Sequence, residues 1–405
     1  MDSDLFTHYS PLQAGKTTQG PLMGKSIAVQ PGVSVHGWPT EAGTPALEGF
    51  VALENATVVD RLLQAGATLV GATRMSELGF GMKGETTALA VSRGLADLAL
   101  MTDWMGEARV AAAGIGVFGF KPTQGIVSRF GWIGLAPSME CCGLLSGSPE
   151  WISDVMGKVT GEDGKDFSLQ IGGLPDFRPR AGDAQPVRKI GVLKELFAIL
   201  SETETRAFRK GLDRLAALGF DILELSLADH ALFSTVHRII GSVEASSSCG
   251  KYDGVRYGHR TKAAVKNWNE MYLRSRGESF GMPLKAYLFQ GAYFQFENYG
   301  AFEDAARIRA RLVRDTAGLL TRADVLVSPT RREAACTGAD ETIGSIYAEC
   351  ALTLSANVAG LPALQIPGFV TDGDKDFGLQ ITGSPLNDAR LLSLAVRLSE
   401  SATGH

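Results

Sequence analysis

Strand, helix and second strand follow one another twice along this chain of 405 residues, and that alternation restricts its fold more than any other feature. Residues 24–29 read as a short apolar strand. Asn55 then stands as a helix N-cap before Val58, Val59, Leu62 and Leu63, with Gly66 as the stop and residues 68–71 as the next strand. The order repeats as a strand at 189–192, a helix at 203–218 ended by Gly219, and a strand at 221–225. Crossover helices let neighbouring strands pair in parallel, so the expected class is α/β.

Other segments refine this frame. Residues 108–120 are a run of Ala, Gly, Val and Ile without clear periodicity, broken by Gly114, Gly116 and Gly119, which suits close backbone packing inside a large sheet protein. Residues 161–186, rich in Gly, Asp and Pro, read as an exposed connection. Residues 301–320 form a charged amphipathic helix with Ile308, Leu312 and Leu319 on one face, followed by a strand at 324–327. Residues 1–20 are weakly patterned.

Composition excludes several classes of function. A net charge of -5 without long runs of one sign provides no basic stripe for a phosphate backbone, so direct nucleic-acid binding is not expected. No apolar stretch is long enough to span a bilayer and no leader pattern opens the chain, so a cytoplasmic protein without a membrane partner is expected. Cys141, Cys142, Cys249, Cys336 and Cys350 form no C-x-x-C pair and have no His at metal-ligand spacing. They read as reduced structural thiols, and neither a metal nor a cofactor is expected.

Five segments in order carry a family resemblance: GKSIAVQPGVSVHGWPTEAGT at 24–44, ATVVDRLLQAGATLVG at 56–71, GLADLALMTDWMGEAR at 94–109, GVFGFKPTQGIVSRFG at 116–131 and NVAGLPALQIP at 357–367. Together they resemble the amidase-signature family. EASSSCGKYDGVRYGHR at 244–260, followed by EMYLRSRGESFG at 270–281, is most similar to the A subunit of glutamyl-tRNA amidotransferases. The resemblance implies one domain over 21–405, built on a mixed, mostly parallel twisted sheet flanked by helices, with a helical cap at about 244–315. It also implies that most of the helical arm preceding the first strand in that family is absent here.

The same resemblance implies catalysis by a serine nucleophile, a second serine in a cis peptide and a lysine, with backbone N–H groups of a Gly-rich turn holding the oxyanion. This sequence departs at each position. Where the family has a pattern like A-V-K-D, Ala28, Val29, Gln30 and Pro31 stand, and Gln30 cannot act as a base. Where the family has T-D-T-G-G-S-x-R, Glu107 stands for the serine and Trp104 and Met105 precede Gly106 in the oxyanion turn. The G-G-S-S-G-G-S loop expected between Glu85 and Ala90 is deleted. Bulky side chains are expected to fill the pocket, and serine-type amidase activity is expected to be absent.

Several residues carry two readings. Glu107 is either a new general base or nucleophile with a raised pKa, or one half of an ion pair with Arg109 or another nearby basic group. Arg256 is either a carboxylate-binding fork, as the resemblance implies, or a structural partner of Asp253. Thr86, Thr87 and Ser92 are the hydroxyls nearest the deleted loop, and none has a Lys or His at a predictable spacing. His36 reads as a loop residue, and Cys141 and Cys142 as packing residues in a turn. Two functions follow: a non-hydrolytic pseudoenzyme that binds a small amide or amino-acid-like ligand, a protein partner or a second copy, or an amide (C–N) hydrolase with chemistry relocated to Glu107. A working glutaminase requires the absent triad.

Overall fold

The computed structural model describes residues 4–13, 20–82, 85–170, 172–177, 186–333 and 341–403, the last three by backbone alone. The first half contains β1 (Phe6–Gln13), β2 (Ser26–Val29), α1 (Thr57–Gln64), β3 (Thr68–Thr73), α2 (Glu85–Ser92), β4 (Leu98–Asp103), α3 (Glu107–Ile115), β5 (Phe118–Lys121), β6 (Cys141–Ser146) and α4 (Pro149–Val159). It continues with β7 (Lys189–Leu193), α5 (Glu202–Ala217), β8 (Asp221–Leu225), α6 (Leu232–Ser248), α7 (Trp268–Ser279), α8 (Met282–Phe296) and α9 (Tyr299–Leu320). The last part holds β9 (Val325–Pro329), α10 (Ile343–Glu349), α11 (Leu354–Val358), β10 (Ala363–Ile366), a hairpin of β11 (Thr371–Asp372) and β12 (Lys375–Asp376), β13 (Leu379–Gly383) and α12 (Asp388–Thr403).

Eleven strands form one sheet in the order β1-β3-β2-β4-β6-β5-β10-β13-β9-β7-β8. The sheet is mixed, and its parallel pairs lie in two wings, β3-β2-β4 and β9-β7-β8. Between them the pairing is antiparallel from β4 through β6, β5, β10 and β13 to β9. The expectation of mostly parallel pairing therefore holds only in the wings, where α1 and α5 supply the crossovers. Of the middle pairs, β5–β6 and β10–β13 are joined in the chain without an intervening α-helix and return antiparallel.

Residues of the weakly patterned start form β1, an edge strand antiparallel to β3. Pro11 and two register shifts hide it from a period-2 reading, and an edge position tolerates both. Asn55 is not the cap of α1: Ala56 holds that position, while Asn55 accepts from the His36 backbone N–H and donates to Asp60. The aperiodic run at 108–120 divides into α3 and β5. Helix α3 is buried over residues 107–113, which removes the amphipathic signal. It lies so close to β5 that a Cβ at Gly119 would come within 2.6 Å of the Ala112 methyl, so only glycine fits there.

Helix α5 starts on a full capping box, with Ser201 and Glu204 exchanging hydrogen bonds. The region expected as a cap falls within α6–α9, which begin at Leu232 and end at Leu320. Helix α6 packs against both α8 and α9. One apolar core runs the length of the sheet, from Ile27 and Leu69 in the first wing to Ile190 and Val325 in the second, with α1, α4, α5 and α12 packed on it. A second, containing Trp104, Met105, Phe80 and Tyr287, lies where α6, α8 and α9 meet the sheet. No described helix is long and apolar enough to cross a membrane.

Candidate active site

The site sits where β4 ends and α3 begins. Strand β4 is buried along its whole length, as expected of a strand covered on both faces, and it delivers Asp103 to the carboxyl edge of its wing. The chain then turns through Trp104, Met105 and Gly106. Gly106 has φ +109°, and a Cβ there would come within 2.1 Å of Thr353 Oγ1, so the turn requires glycine. Helix α3 starts immediately afterwards at Glu107.

Three backbone N–H groups of this turn converge on one atom. Trp104 and Met105 each donate to Glu107 Oε2 at 2.9 Å, and Gly106 donates at 3.2 Å. Such a nest with a helix N-terminus behind it favours negative charge. Here it is filled by the chain's own carboxyl group. The other oxygen, Oε1, is buried and has no hydrogen-bond partner. Burial, followed by the nearby charge of Asp103, pushes the Glu107 pKa up to about 8 against the opposing effect of the N–H bonds. The carboxyl is therefore mainly protonated at neutral pH.

The expected ion pair between Glu107 and Arg109 does not form. Two positions apart on a helix point in nearly opposite directions, so Arg109 faces the sheet instead. Its Nε and Nη2 bind the two oxygens of Asp103 at 3.2 and 2.9 Å, and its Nη1 reaches Gln380 Oε1 at 2.6 Å and Thr353 O at 3.2 Å. Asn357 donates to both the carbonyl and the carboxylate of Asp103. Burial works to raise the Asp103 pKa, but the Arg109 charge and these hydrogen bonds outweigh it and hold the group ionised.

Aromatic side chains close over the turn. The Trp104 indole is fully buried and donates Nε1–H to the Gly79 carbonyl at 3.0 Å. Its ring meets Phe80, His237 and Tyr287 at 5.9, 5.1 and 6.0 Å. Phe80 stacks on Tyr287 at 4.7 Å. His237 Nε2 lies 2.9 Å from the Trp104 carbonyl oxygen, Nδ1 lies 2.9 Å from Tyr347 Oη, and Tyr347 Oη lies 2.9 Å from Tyr287 Oη. Burial pushes the His237 pKa down to about 4, so the ring is neutral. A carbonyl only accepts, which places the proton on Nε2. Nδ1 then accepts from Tyr347, and Tyr347 accepts from Tyr287.

The remaining expected residues are dispersed. Gln30 is buried, with its Oε1 accepting from Thr102 N at 3.2 Å and its backbone N–H donating to Leu100, so it extends the β2–β4 pairing. Arg256 and Asp253 take the paired reading: Arg256 Nε donates to Asp253 Oδ2 at 2.9 Å and Nη2 to Lys251 O at 3.0 Å. The Arg256 side chain is 57% exposed, and no hydrogen bond joins it to the Glu107 turn among the described residues. Thr86 donates to Arg74 O, Thr87 shares a hydrogen bond with Thr73, and Ser92 leans on Leu89 O.

Cys141 and Cys142 lie on β6 and not in a turn, with Cys141 directly opposite Asp103. They are buried, as are Cys249 and Cys350, while Cys336 lies outside the described residues. The sequence reading missed Lys121, a buried lysine that donates to Pro122 O at 2.8 Å and to Cys141 Sγ at 3.5 Å. It also missed His237, Tyr287 and Tyr347, which come from three helices and share no local spacing. Among the described residues no group of three His, Cys, Asp or Glu side chains is placed to hold a metal.

A cleft of about 630 Å³ opens at the carboxyl ends of β2 and β3, lined by Pro31, Glu41, Thr44, Glu48, Arg74 and Met75 among others. The turn residues 104–107 do not line it.

The sequence profile of the Amidase family matches residues 8–89 and 87–392. The A subunit of glutamyl-tRNA(Gln) amidotransferase from Symbiobacterium thermophilum is 33% identical, with 95% of this chain and 84% of that protein covered. Its counterpart from Haloarcula marismortui is 34% identical, with 92% and 94% covered. The crystal structure of the counterpart from Thermotoga maritima superposes with a TM-score of 0.77 at 22% identity, covering 96% of this chain and 86% of that one.

Proposed function

We propose that this chain, which belongs to the amidase family, acts as a non-hydrolytic member that binds a ligand or a partner through an amidase fold. The observation that carries this reading is the convergence of the Trp104, Met105 and Gly106 N–H groups on Glu107 Oε2. Donors that stabilise a developing oxyanion must be free to reach a substrate oxygen, and these three are already satisfied inside the chain. Two further features support the reading. Trp104, Phe80 and Tyr287 pack over the turn, and Gln30 offers an amide where a base is required. The similarity to amidotransferase A subunits supports a role beside a protein partner in the cytoplasm. The cleft at Pro31 and Arg74 supports a small amide or amino-acid-like ligand.

The experiment pairs turnover with binding. Purified protein is incubated with glutamine, asparagine and simple aliphatic amides, ammonia is measured, and the same compounds are tested by thermal shift. Ammonia at the buffer level together with a raised melting temperature for at least one compound is the expected result. Ammonia release by the wild-type protein would sink the proposal.

One observation favours a second reading, an amide (C–N) hydrolase with relocated chemistry. Glu107 has a pKa of about 8 and one oxygen without a partner, the properties of a general acid near neutrality. Under this reading ammonia is released and Glu107→Gln abolishes it. Release unaffected by Glu107→Gln removes the second reading as well.

A further inference from the structure

Helix α8 has the wrong composition for a helix with an open face. Its sequence, MPLKAYLFQGAYFQF, carries one charged residue, Lys285, and is apolar on all sides. Such a helix is normally enclosed. One side is: Leu284, Tyr287, Leu288 and Gly291 are buried, and Gly291 presses against α6 so closely that a Cβ there would lie 1.8 Å from Ser242 O.

The opposite side is open and regular. Met282, Ala286, Phe289, Tyr293 and Phe296 are exposed at successive spacings of four, three, four and three residues, the period of a coiled-coil seam. Met282, Phe289 and Phe296 are 73%, 75% and 75% exposed and Tyr293 51%. An aromatic side chain covers about 150–250 Å². The seam therefore offers roughly 500 Å² of apolar surface, and two such seams together reach about 1,000 Å², the lower bound for a specific interface.

We propose that α8 is a homodimer interface in which two copies pair their seams antiparallel about a two-fold axis that crosses the open face at the level of residue Gly291. In that register Ala286 faces the partner's Phe296, and Phe289 faces the partner's Tyr293. A small side chain then receives a large one, and the two central aromatics pack together. The charge pattern favours a second copy over other occupants. With one lysine the face has no charge to select a highly charged partner, and it lacks the basic flank of a helix that lies on membranes. An isologous contact also explains why the apolar side chains run the full length of the helix.

Sedimentation equilibrium of the full chain at micromolar concentration tests this. Twice the chain mass is expected for the wild type, and the single-chain mass for Phe289→Glu with Phe296→Glu, with the far-ultraviolet circular dichroism retained. A second variant, Ala286→Cys with Phe296→Cys, is expected to form an interchain disulfide on oxidation. Within one helix those positions lie about 15 Å apart, too far to bridge. A monomeric wild type overturns the proposal, whether or not it binds anionic vesicles or another protein. A dimer untouched by the glutamates overturns it, and so does a cysteine pair that gives no covalent dimer.

Discussion

Glu107 Oε2 lies 2.9 Å from the backbone nitrogen of Met105, two residues behind it in the chain, and this contact converts an anion-binding turn into a self-satisfied one. The carboxyl group fills the turn, and its acidity records the conflict between burial and three N–H donors.

That conflict predicts a pH dependence. The Glu107 pKa is raised in the folded protein, from 4.5 to about 8, so the folded state holds a proton that the unfolded state releases between those values. Stability contributed by this group is complete below pH 4.5 and falls as pH rises toward 8, by up to a few kcal/mol. Glu107→Gln keeps a carbonyl to accept the N–H bonds and removes the titration. Melting temperatures measured from pH 6.5 to 8 are expected to fall more steeply for the wild type than for the variant. Equal slopes would show that Glu107 titrates normally.

His237 acts in the opposite direction at lower pH. Its folded pKa of about 4 lies below its ordinary 6.5, so its contribution is present above pH 6.5 and lost as pH falls toward 4. His237→Gln is expected to flatten the acid side of the stability profile, and an unchanged acid limb in its thermal melts would refute the neutral ring.

The direction of the hydrogen-bond chain ranks two substitutions. Tyr347→Phe removes the donor to His237 Nδ1 and leaves a buried acceptor unsatisfied, costing about 1–3 kcal/mol. Tyr287→Phe removes only the first donor in the chain and is expected to cost less. Chemical denaturation that gives the reverse order would overturn the assigned tautomer.

Arg109→Met leaves Asp103 ionised and buried without its partner, a loss of about 3–5 kcal/mol. Asp103→Asn with Arg109→Met is expected to recover part of it, since no unpaired charge remains. A double variant that falls to the sum of the single losses would show that the two residues are uncoupled.

Gly106→Ala tests the turn directly. A positive φ and a Cβ 2.1 Å from Thr353 Oγ1 act together, so a loss of about 3 kcal/mol or failure to accumulate soluble protein is expected. A variant that melts with the wild type would mean the turn relaxes freely.

The features readable from residues alone are local or cumulative. Helices α1 and α5 are legible because a helix with one buried face repeats its apolar residues at a fixed period, Gly66 and Gly219 mark where each must stop, and the short apolar runs of β7 and β8 are read from the helix between them. Family membership is legible because five segments agree in order. The contacts of Glu107 emerge only from the three-dimensional arrangement. Short-range spacing points to Arg109, yet helix geometry turns the two apart and the carboxyl folds back on the preceding turn. The aromatic cover is equally hidden, since Phe80, Trp104, His237, Tyr287 and Tyr347 are up to 267 residues apart and meet only when α6, α8 and α10 close over the sheet. Periodicity reports which face of an element avoids water; it carries no information about which distant element covers that face.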